Sequence, residues 1–263
     1  MEEVSAAFQY RSNAAGMRHR RSQPAMTPHW PNPEIFEIDR VEIAVEPWSW
    51  QFALAHRDEI DRHFACFQRK RSGVWNGRVL LLNRYAIRDG VLRGACFETD
   101  YANLCAWRDW NFPDPGVYNF FAAAALRAAD GAYLVGEMAP DTAAAGLIYF
   151  PCGTPEPDDV RAGGVFDLHG NLSRELLEET GIVIDELDAE PGWSVVRDRG
   201  FLGMIKRLSA RQGAEELRSR IMRHIAEDER PEFVDIRIVR GPADLDPRMS
   251  RSVVAFLEQE WRQ

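Results

Sequence analysis

The chain has 263 residues, of which 45% are apolar and 11% aromatic, enough for one large domain or two small domains with proper cores. Its formal net charge of −9 argues against a general nucleic-acid or anionic-membrane surface, because both would repel it. No apolar run approaches the roughly 20 residues of a membrane span, and the N-terminus lacks the apolar stretch of a secretory signal. These features predict a cytoplasmic protein that binds neither nucleic acid nor membrane.

The four cysteines lie far apart and include no C-x-x-C pair, which excludes a zinc ribbon. A chain of this length does not need disulfide staples, so we expect reduced thiols. Cys152 is expected to be a small buried filler rather than a reactive thiol. The four residues are Cys66, Cys96, Cys105 and Cys152.

Residues 1–34 combine arginines and prolines without an apolar period, which predicts a disordered tail. Residues 35–116 then alternate between strand and helix patterns, which predicts a small N-terminal α+β module. Its expected elements are a strand at 41–45, a helix at 48–69, a hairpin turning at Asp89-Gly90 and a short helix at 101–110.

Residues 117–263 read as a second α+β domain. Asp130-Gly131 predicts a hairpin turn, and an Asp246-Pro247 pair predicts the start of a last helix. Between them we expect strands at 147–150, 182–187, 193–196, 202–208 and 233–240, and helices at 168–180 and 213–226.

Three glutamates stand out in the helix predicted at 168–180. At about 100° per residue, Glu175, Glu178 and Glu179 fall within one arc, whereas Leu176 and Leu177 point toward a core. Like charges at these spacings repel, and the macrodipole disfavours anions in the turns before Gly181, a natural helix end. A hard divalent cation would compensate for this repulsion. A solvated acidic face is the alternative.

The segment from Arg174 to Ile182 resembles the second half of the Nudix box, G-x5-E-x7-R-E-U-x-E-E-x-G-U, where U is apolar. The first half departs from this pattern. Without a gap, Val160 and Phe166 would occupy its Gly and Glu positions. With an insertion, Gly153 is the opening glycine and Asp159 stands for the glutamate, and we prefer this alignment because residues 149–153 resemble the strand that ends in the family's Pro-Gly-Gly.

The resemblance covers roughly residues 117–263 and implies the Nudix α/β/α sandwich with a mixed sheet. It implies that Glu175, Glu178, Glu179 and the carbonyl of Gly153 hold Mg²⁺ or Mn²⁺, and that Arg174 orients the carboxylates. The implied reaction is metal-dependent hydrolysis of a pyrophosphate bond in a nucleoside diphosphate linked to another moiety.

The residue that takes the water's proton varies within the family. Glu178 or Glu179 is one choice, and a glutamate of a later loop, here Glu229 or Glu232, is another. Glu232 is included among the candidate catalytic residues together with Arg174 and the box glutamates. A solvated acidic loop is the alternative interpretation of residues 228–232.

A weaker resemblance to a Nudix branch active on UDP-sugars suggests a UDP-sugar as the substrate. This resemblance rests on residues 153–157, residues 167–172 and Asn76-Gly77. ADP-ribose or a dinucleotide is the alternative substrate. A non-catalytic nucleotide sensor and an isomerase of the isopentenyl-diphosphate type are the alternative functions.

The expected partner is a small-molecule nucleotide, and the sequence leaves open whether the protein forms a homodimer. Trp107, Trp110 and Trp193 could stack on a base, although tryptophans more often lie in cores.

Overall fold

The computed structural model describes residues 32–71 and 73–262. The tail predicted at 1–34 lies outside the described residues up to residue 31, and the first strand begins at Glu34. Pro33–Gln263 forms one compact unit. In the described part of the chain, no helix is long and apolar enough to cross a membrane.

Fourteen strands and six α-helices make up the described fold. The strands are β1 (Glu34–Ile38), β2 (Arg40–Val45), β3 (Arg78–Arg88), β4 (Val91–Asp100), β5 (Asn119–Arg127), β6 (Tyr133–Met138), β7 (Ile148–Tyr149), β8 (Cys152–Gly153), β9 (Val160–Arg161), β10 (Val165–Phe166), β11 (Asp188–Ala189), β12 (Trp193–Asp198), β13 (Phe201–Ser209) and β14 (Phe233–Val239). The helices are α1 (Gln51–Ala55), α2 (Arg57–Lys70), α3 (Tyr101–Asp109), α4 (Leu168–Thr180), α5 (Ala214–Glu227) and α6 (Arg251–Glu260).

The larger sheet is mixed and runs in the order β1-β12-β13-β5-β6-β14, with the short strands β7, β8 and β11 paired at its margins. β13 and β5 are parallel, and the other pairs are antiparallel. The hairpin predicted at Asp130-Gly131 pairs only Leu126 with Leu134 and Arg127 with Tyr133. On its other edge β5 pairs with β13 along its whole length, and beside β6 the short strand β8 pairs with Ala122 and Ala123.

Helices cover both faces of the larger sheet. Side chains alternate along β5, so this strand contributes residues to the core on each face. Its residues Ala122 and Ala124 share one apolar core with Leu172 and Leu176 of α4 and with residues of α5. Ala123 and Ala125 face the opposite core, which contains Phe256 and Leu257 of α6. The predicted α+β fold with an α/β/α sandwich is confirmed.

The smaller sheet runs in the order β3-β4-β2-β10-β9. One of its faces joins the core of the larger sheet through Ile43, Leu80 and Leu92, and its other face packs on α3 through Leu81 and Leu104. The predicted pair of strands around Asp89-Gly90 is confirmed as β3 and β4.

Strands that follow one another in the chain join different sheets. β1 pairs with β12 of the larger sheet, whereas β2 pairs with β4 of the smaller sheet after the single residue Asp39. In the other direction, Val165 of β10 pairs with Ala44 of β2. The segment inserted before α4 is therefore part of the smaller sheet, and Gly163 and Gly164 form its turn at positive φ.

Three predicted elements were wrong in part. Residues 182–187 form a 3₁₀ turn at Ile184–Glu186 rather than a strand. The helix predicted at 48–69 is broken at His56 into α1 and α2. The last helix begins at Arg251, because Ser250 accepts the N–H of Val253, whereas the Asp246 carboxylate is occupied by Arg248.

Candidate active site

The helix α4 carries the three glutamates and has well-defined ends. Asp167 caps its start by accepting the N–H of Gly170 over 2.8 Å, and Gly181 ends it at a φ of +67°. The apolar side chains Leu172 and Leu176 are fully buried and fix which face meets the sheet. The predicted helix at 168–180 is confirmed. Leu177 was expected to face the core, but it is 46% exposed.

Two of the glutamates are buried between α4 and strand β8. Glu175 and Glu179 are 8% and 6% exposed, whereas the side chain of Glu178 is 58% exposed. The backbone N–H of Cys152 donates to Glu179 Oε2 over 2.8 Å. A β-carbon on Gly153 would overlap the Glu175 carboxylate, so a glycine at this position leaves room for that carboxylate beside the strand.

Arg174 contacts both neighbouring glutamates of the box. Its Nη2 lies 2.8 Å from Glu175 Oε1, and its Nη1 lies 3.1 Å from Glu178 Oε2. The same guanidinium donates to both carboxylate oxygens of Asp159, over 3.1 and 3.2 Å. One arginine thus ties the inserted segment to the carboxylates of α4.

Asp159 is buried, and both of its carboxylate oxygens accept hydrogen bonds. In addition to Arg174, its Oδ2 accepts from Asn171 Nδ2 and from the backbone N–H of Glu156, each over 2.9 Å. Phe166, the residue that the ungapped alignment would place at the glutamate position, packs against Phe120 in the core. The geometry therefore agrees with the gapped alignment, in which Gly153 and Asp159 flank the site, and it places Asp159 on Arg174.

Asn171 is a residue of this site that the sequence did not single out. It is fully buried, and its Oδ1 has no hydrogen-bond partner in the structure. No short motif marks it, but it lies four residues before Glu175 and eight before Glu179. That spacing on α4 would have placed it on the same face as the two buried glutamates.

Burial dominates the electrostatics of the two inner glutamates. It raises the pKa of Glu175 to about 8, with a further contribution from Glu178 that Arg174 opposes. Burial also raises the pKa of Glu179 well above its ordinary value, and the charge of Glu232 acts in the same direction. Oε1 of Glu179 is buried without a hydrogen-bond partner. Such carboxylates are stabilised in their charged form by a cation.

The donor set fits a hard divalent cation, because it consists of carboxylate oxygens on one helix beside a strand backbone. Within residues 32–71 and 73–262, however, no three His, Cys, Asp or Glu side chains already stand in a metal-binding arrangement. Glu178 points to solvent and pairs with Arg174. Binding through all three glutamates therefore requires the side chain of Glu178 to turn inward.

Glu232 lies on the loop before β14, at the same side of the molecule. Its backbone carbonyl accepts from the N–H of Ala139 over 2.8 Å. Surrounding protein atoms that displace water raise the pKa of its carboxyl, and repulsion from Glu178 raises it further. The next residue, Phe233, packs on Tyr149 just before β8, with ring centroids 6.2 Å apart. The charge of Glu232 also acts in the direction that raises the pKa values of Glu175 and Glu179.

Several other candidate residues have core positions. Burial raises the pKa of the Cys152 thiol well above its ordinary value, as expected for a neutral filler. Trp107 is fully buried, and Trp193 is 8% exposed, so neither offers a free ring face. Trp110 packs edge-on against Phe52, His56 and His63.

Comparison with solved structures finds Nudix hydrolases. A Nudix hydrolase from M. smegmatis, RenU, is 15% identical over 56% of this chain and 89% of its own, with a TM-score of 0.36. A NUDIX hydrolase from Nitrosomonas europaea is 16% identical over 55% and 89%, with a TM-score of 0.30. The MutT protein from Methanosarcina mazei Go1 is 16% identical over 56% and 96%, with a TM-score of 0.32.

The sequence itself matches no family model, and no curated protein matches it. Two of these three solved structures are Nudix hydrolases, the family whose box residues 174–182 resemble in its second half. None of these three proteins is named as a UDP-sugar enzyme.

Proposed function

We propose that this protein hydrolyses a pyrophosphate bond in a nucleoside diphosphate linked to another moiety, with Mg²⁺ or Mn²⁺ bound by Glu175, Glu178, Glu179 and the carbonyl of Gly153. The observation that carries the proposal is the pair of buried glutamates against β8, one with a buried oxygen that has no partner. Two buried carboxylates on one helix destabilise a fold unless something compensates for them, and a divalent cation does so.

The bound cation would neutralise charge on the phosphates and make a water molecule more acidic. In the proposed hydrolysis, the oxygen of a water molecule would attack one phosphorus, and the bond from this phosphorus to the bridging oxygen would break. A carboxylate of the site would take the water's proton, and the leaving group would depart as a phosphate monoester. Arg174 holds Glu175 and Glu178 in place, as its contacts of 2.8 and 3.1 Å indicate.

Three carboxylates are candidates for the base: Glu178, Glu179 and Glu232. Of these, Glu179 accepts a backbone hydrogen bond and is buried, which suits a fixed ligand better than a proton acceptor. Glu232 has a raised pKa beside the site, which brings a carboxylate closer to the pH at which a general base works well. We therefore favour Glu232.

A UDP-sugar is the substrate that we propose, with UMP and a sugar 1-phosphate as the products. Support comes from the resemblance of residues 153–157 and 167–172 to the UDP-sugar branch. In the structure, this segment is anchored beside the site, since Pro155 accepts from the N–H of Leu80 and Asp159 binds Arg174. ADP-ribose or a dinucleotide has the same linkage and needs the same carboxylates.

The test is a substrate panel with Mg²⁺ that includes UDP-sugars, ADP-ribose, dinucleoside polyphosphates and nucleoside triphosphates. We expect a UDP-sugar to be cleaved fastest, and the Glu179→Gln variant to lose cleavage of every compound. Faster cleavage of ADP-ribose would overturn the proposed substrate but would still support the proposed pyrophosphate hydrolysis. If no compound is cleaved with Mg²⁺ or Mn²⁺ although a nucleotide binds, the protein is a nucleotide sensor.

A further inference from the structure

One tryptophan does not pack into a core. Trp75, in the loop between α2 and β3, is 68% exposed, more than any other large apolar side chain that the structure describes. Its ring lies against Gly77, where a β-carbon would come within 2.6 to 3.0 Å of three ring atoms. One side of the indole is therefore supported by backbone, and the large exposed fraction of the residue is open to solvent.

The loop that carries Trp75 is fixed on both sides of the ring. Before it, the Gln68 side chain donates to the carbonyl of Val74 over 3.0 Å. After it, Asn76 Oδ1 accepts the N–H of Ala102 over 2.9 Å, and the carbonyl of Gly77 accepts the N–H of Tyr101 over 2.9 Å. Asn76 and Gly77 thus attach the loop to the first turn of α3, so the backbone that carries the ring is fixed on both sides.

The first turn of α3 adjoins the carboxylate site. Tyr101 and Val74 pack in the same apolar cluster as Ala143, and the ring of Tyr149 lies 6.2 Å from that of Phe233, the residue after Glu232. A second set of contacts also connects the Trp75 loop to Glu232. Gly73, in the same loop, lies against Asp141, and the segment that contains Asp141 is bonded to Glu232 through the N–H of Ala139.

We propose that Trp75 is a specificity-determining residue that stacks on the nucleobase of a nucleotide whose phosphates lie at Glu175 and Glu179. This inference rests on the proposed function and deepens it by assigning the base-binding surface. An indole face accepts any planar base, because stacking needs no matched hydrogen bonds. The surface therefore selects nucleotides over sugar phosphates without a base, and other contacts separate uracil from adenine.

The experiment measures binding of the non-cleavable ligands UMP, AMP and ribose 5-phosphate to the full chain by calorimetry in the presence of Mg²⁺. Trp75→Ala is expected to weaken UMP and AMP roughly 5- to 150-fold, the range that loss of one stacked base gives, and to leave ribose 5-phosphate unchanged. Trp75→Phe keeps an aromatic face and should retain most of the affinity. Trp48→Ala, a second exposed tryptophan that packs on Phe97, is the matched control and should bind UMP as the wild type does.

Equal UMP affinity in the wild type and Trp75→Ala would overturn the inference. So would an equal loss for ribose 5-phosphate, or the same loss in Trp48→Ala, since either would reflect a general structural change. Hydrolysis by the wild type separates this failure from that of the proposed function, because stacking can be absent from an active hydrolase. A wild-type protein that binds no nucleotide and cleaves none would remove both proposals.

Discussion

The carboxylate of Glu175 occupies the space that a β-carbon on Gly153 would need. Gly153→Ala should therefore displace the carboxylate rather than the backbone, because the atoms it meets are at the far end of a side chain. We expect a small loss of thermal stability, about 1 kcal/mol, and a loss of most turnover. Thermal unfolding and hydrolysis assays on the same preparation check this.

Gly241→Ala is the control for that substitution. Its β-carbon would meet nothing within 4 Å, and its φ of −175° is extended backbone that any residue adopts. It should behave as the wild type in both assays. Full turnover in Gly153→Ala would show that the position of Glu175 is not needed for the reaction.

A second prediction concerns metal binding at the α4 carboxylates. Millimolar Mg²⁺ or Mn²⁺ should raise the melting temperature of metal-free protein, because a free cation at 100 times its dissociation constant adds about 2.7 kcal/mol to the free energy of unfolding. The Glu178→Gln, Glu179→Gln double variant should lose this shift. An unchanged shift in that variant would place the cation elsewhere in the molecule.

A third prediction follows from the buried carboxyl of Glu175, whose pKa is raised from 4.5 to about 8. A carboxyl with a higher pKa in the folded state binds more protons when folded than when unfolded, between the two pKa values. Its contribution to stability is therefore fully present below pH 4.5 and is lost as pH rises toward 8. Metal-free protein should lose up to about 1.4 kcal/mol for each pH unit in that window.

Denaturant unfolding at several pH values, compared between the wild type and Glu175→Gln, isolates this contribution. The variant has no carboxyl to titrate, so its stability should fall less steeply between pH 5 and 8. Saturating Mg²⁺ should flatten the wild-type curve as well, because a cation favours the charged form. Parallel curves without metal would mean that Glu175 keeps an ordinary pKa.

A fourth prediction concerns the buried anchor of Arg174. Asp159→Asn removes the charge that faces this guanidinium, and we expect a loss of stability on the order of 2 kcal/mol together with reduced turnover. Arg161→Ala breaks the pair between Arg161 and Asp167, in which the arginine side chain is 62% exposed, and should cost less than about 1 kcal/mol. Equal effects of the two substitutions would contradict a special role of Asp159.

The helix of the site could be predicted because its signals are local. Asp167 and Gly181 mark the two ends of α4, and the spacing of Glu175, Glu178 and Glu179 follows from the helical repeat alone. The gapped alignment also puts Asp159 at the position of the family's glutamate, whereas its contact with Arg174 is visible only in the structure. These features depend on residues fewer than thirty positions apart.

The features that escaped prediction depend on distant contacts or on single residues. Glu34 pairs with Arg197 across 163 positions, and no period in the sequence reports such a pairing. The segment inserted before α4 joins the smaller sheet through the pairing of Val165 with Ala44, which no local pattern in the sequence predicts. Trp75 lies in no apolar repeat, so its exposure is visible only when the loop is seen against Gly77 and α3.

Strand β1 comes from the N-terminal part of the chain but belongs to the larger sheet, so the protein cannot be cut cleanly between its two predicted parts. Removing residues 33–116 would strip β1 from the larger sheet and leave the backbone of β12 unpaired along five residues. Such an open edge invites pairing with a second molecule and so promotes aggregation. A fragment that starts at residue 117 would carry every box glutamate and still be poorly suited to expression.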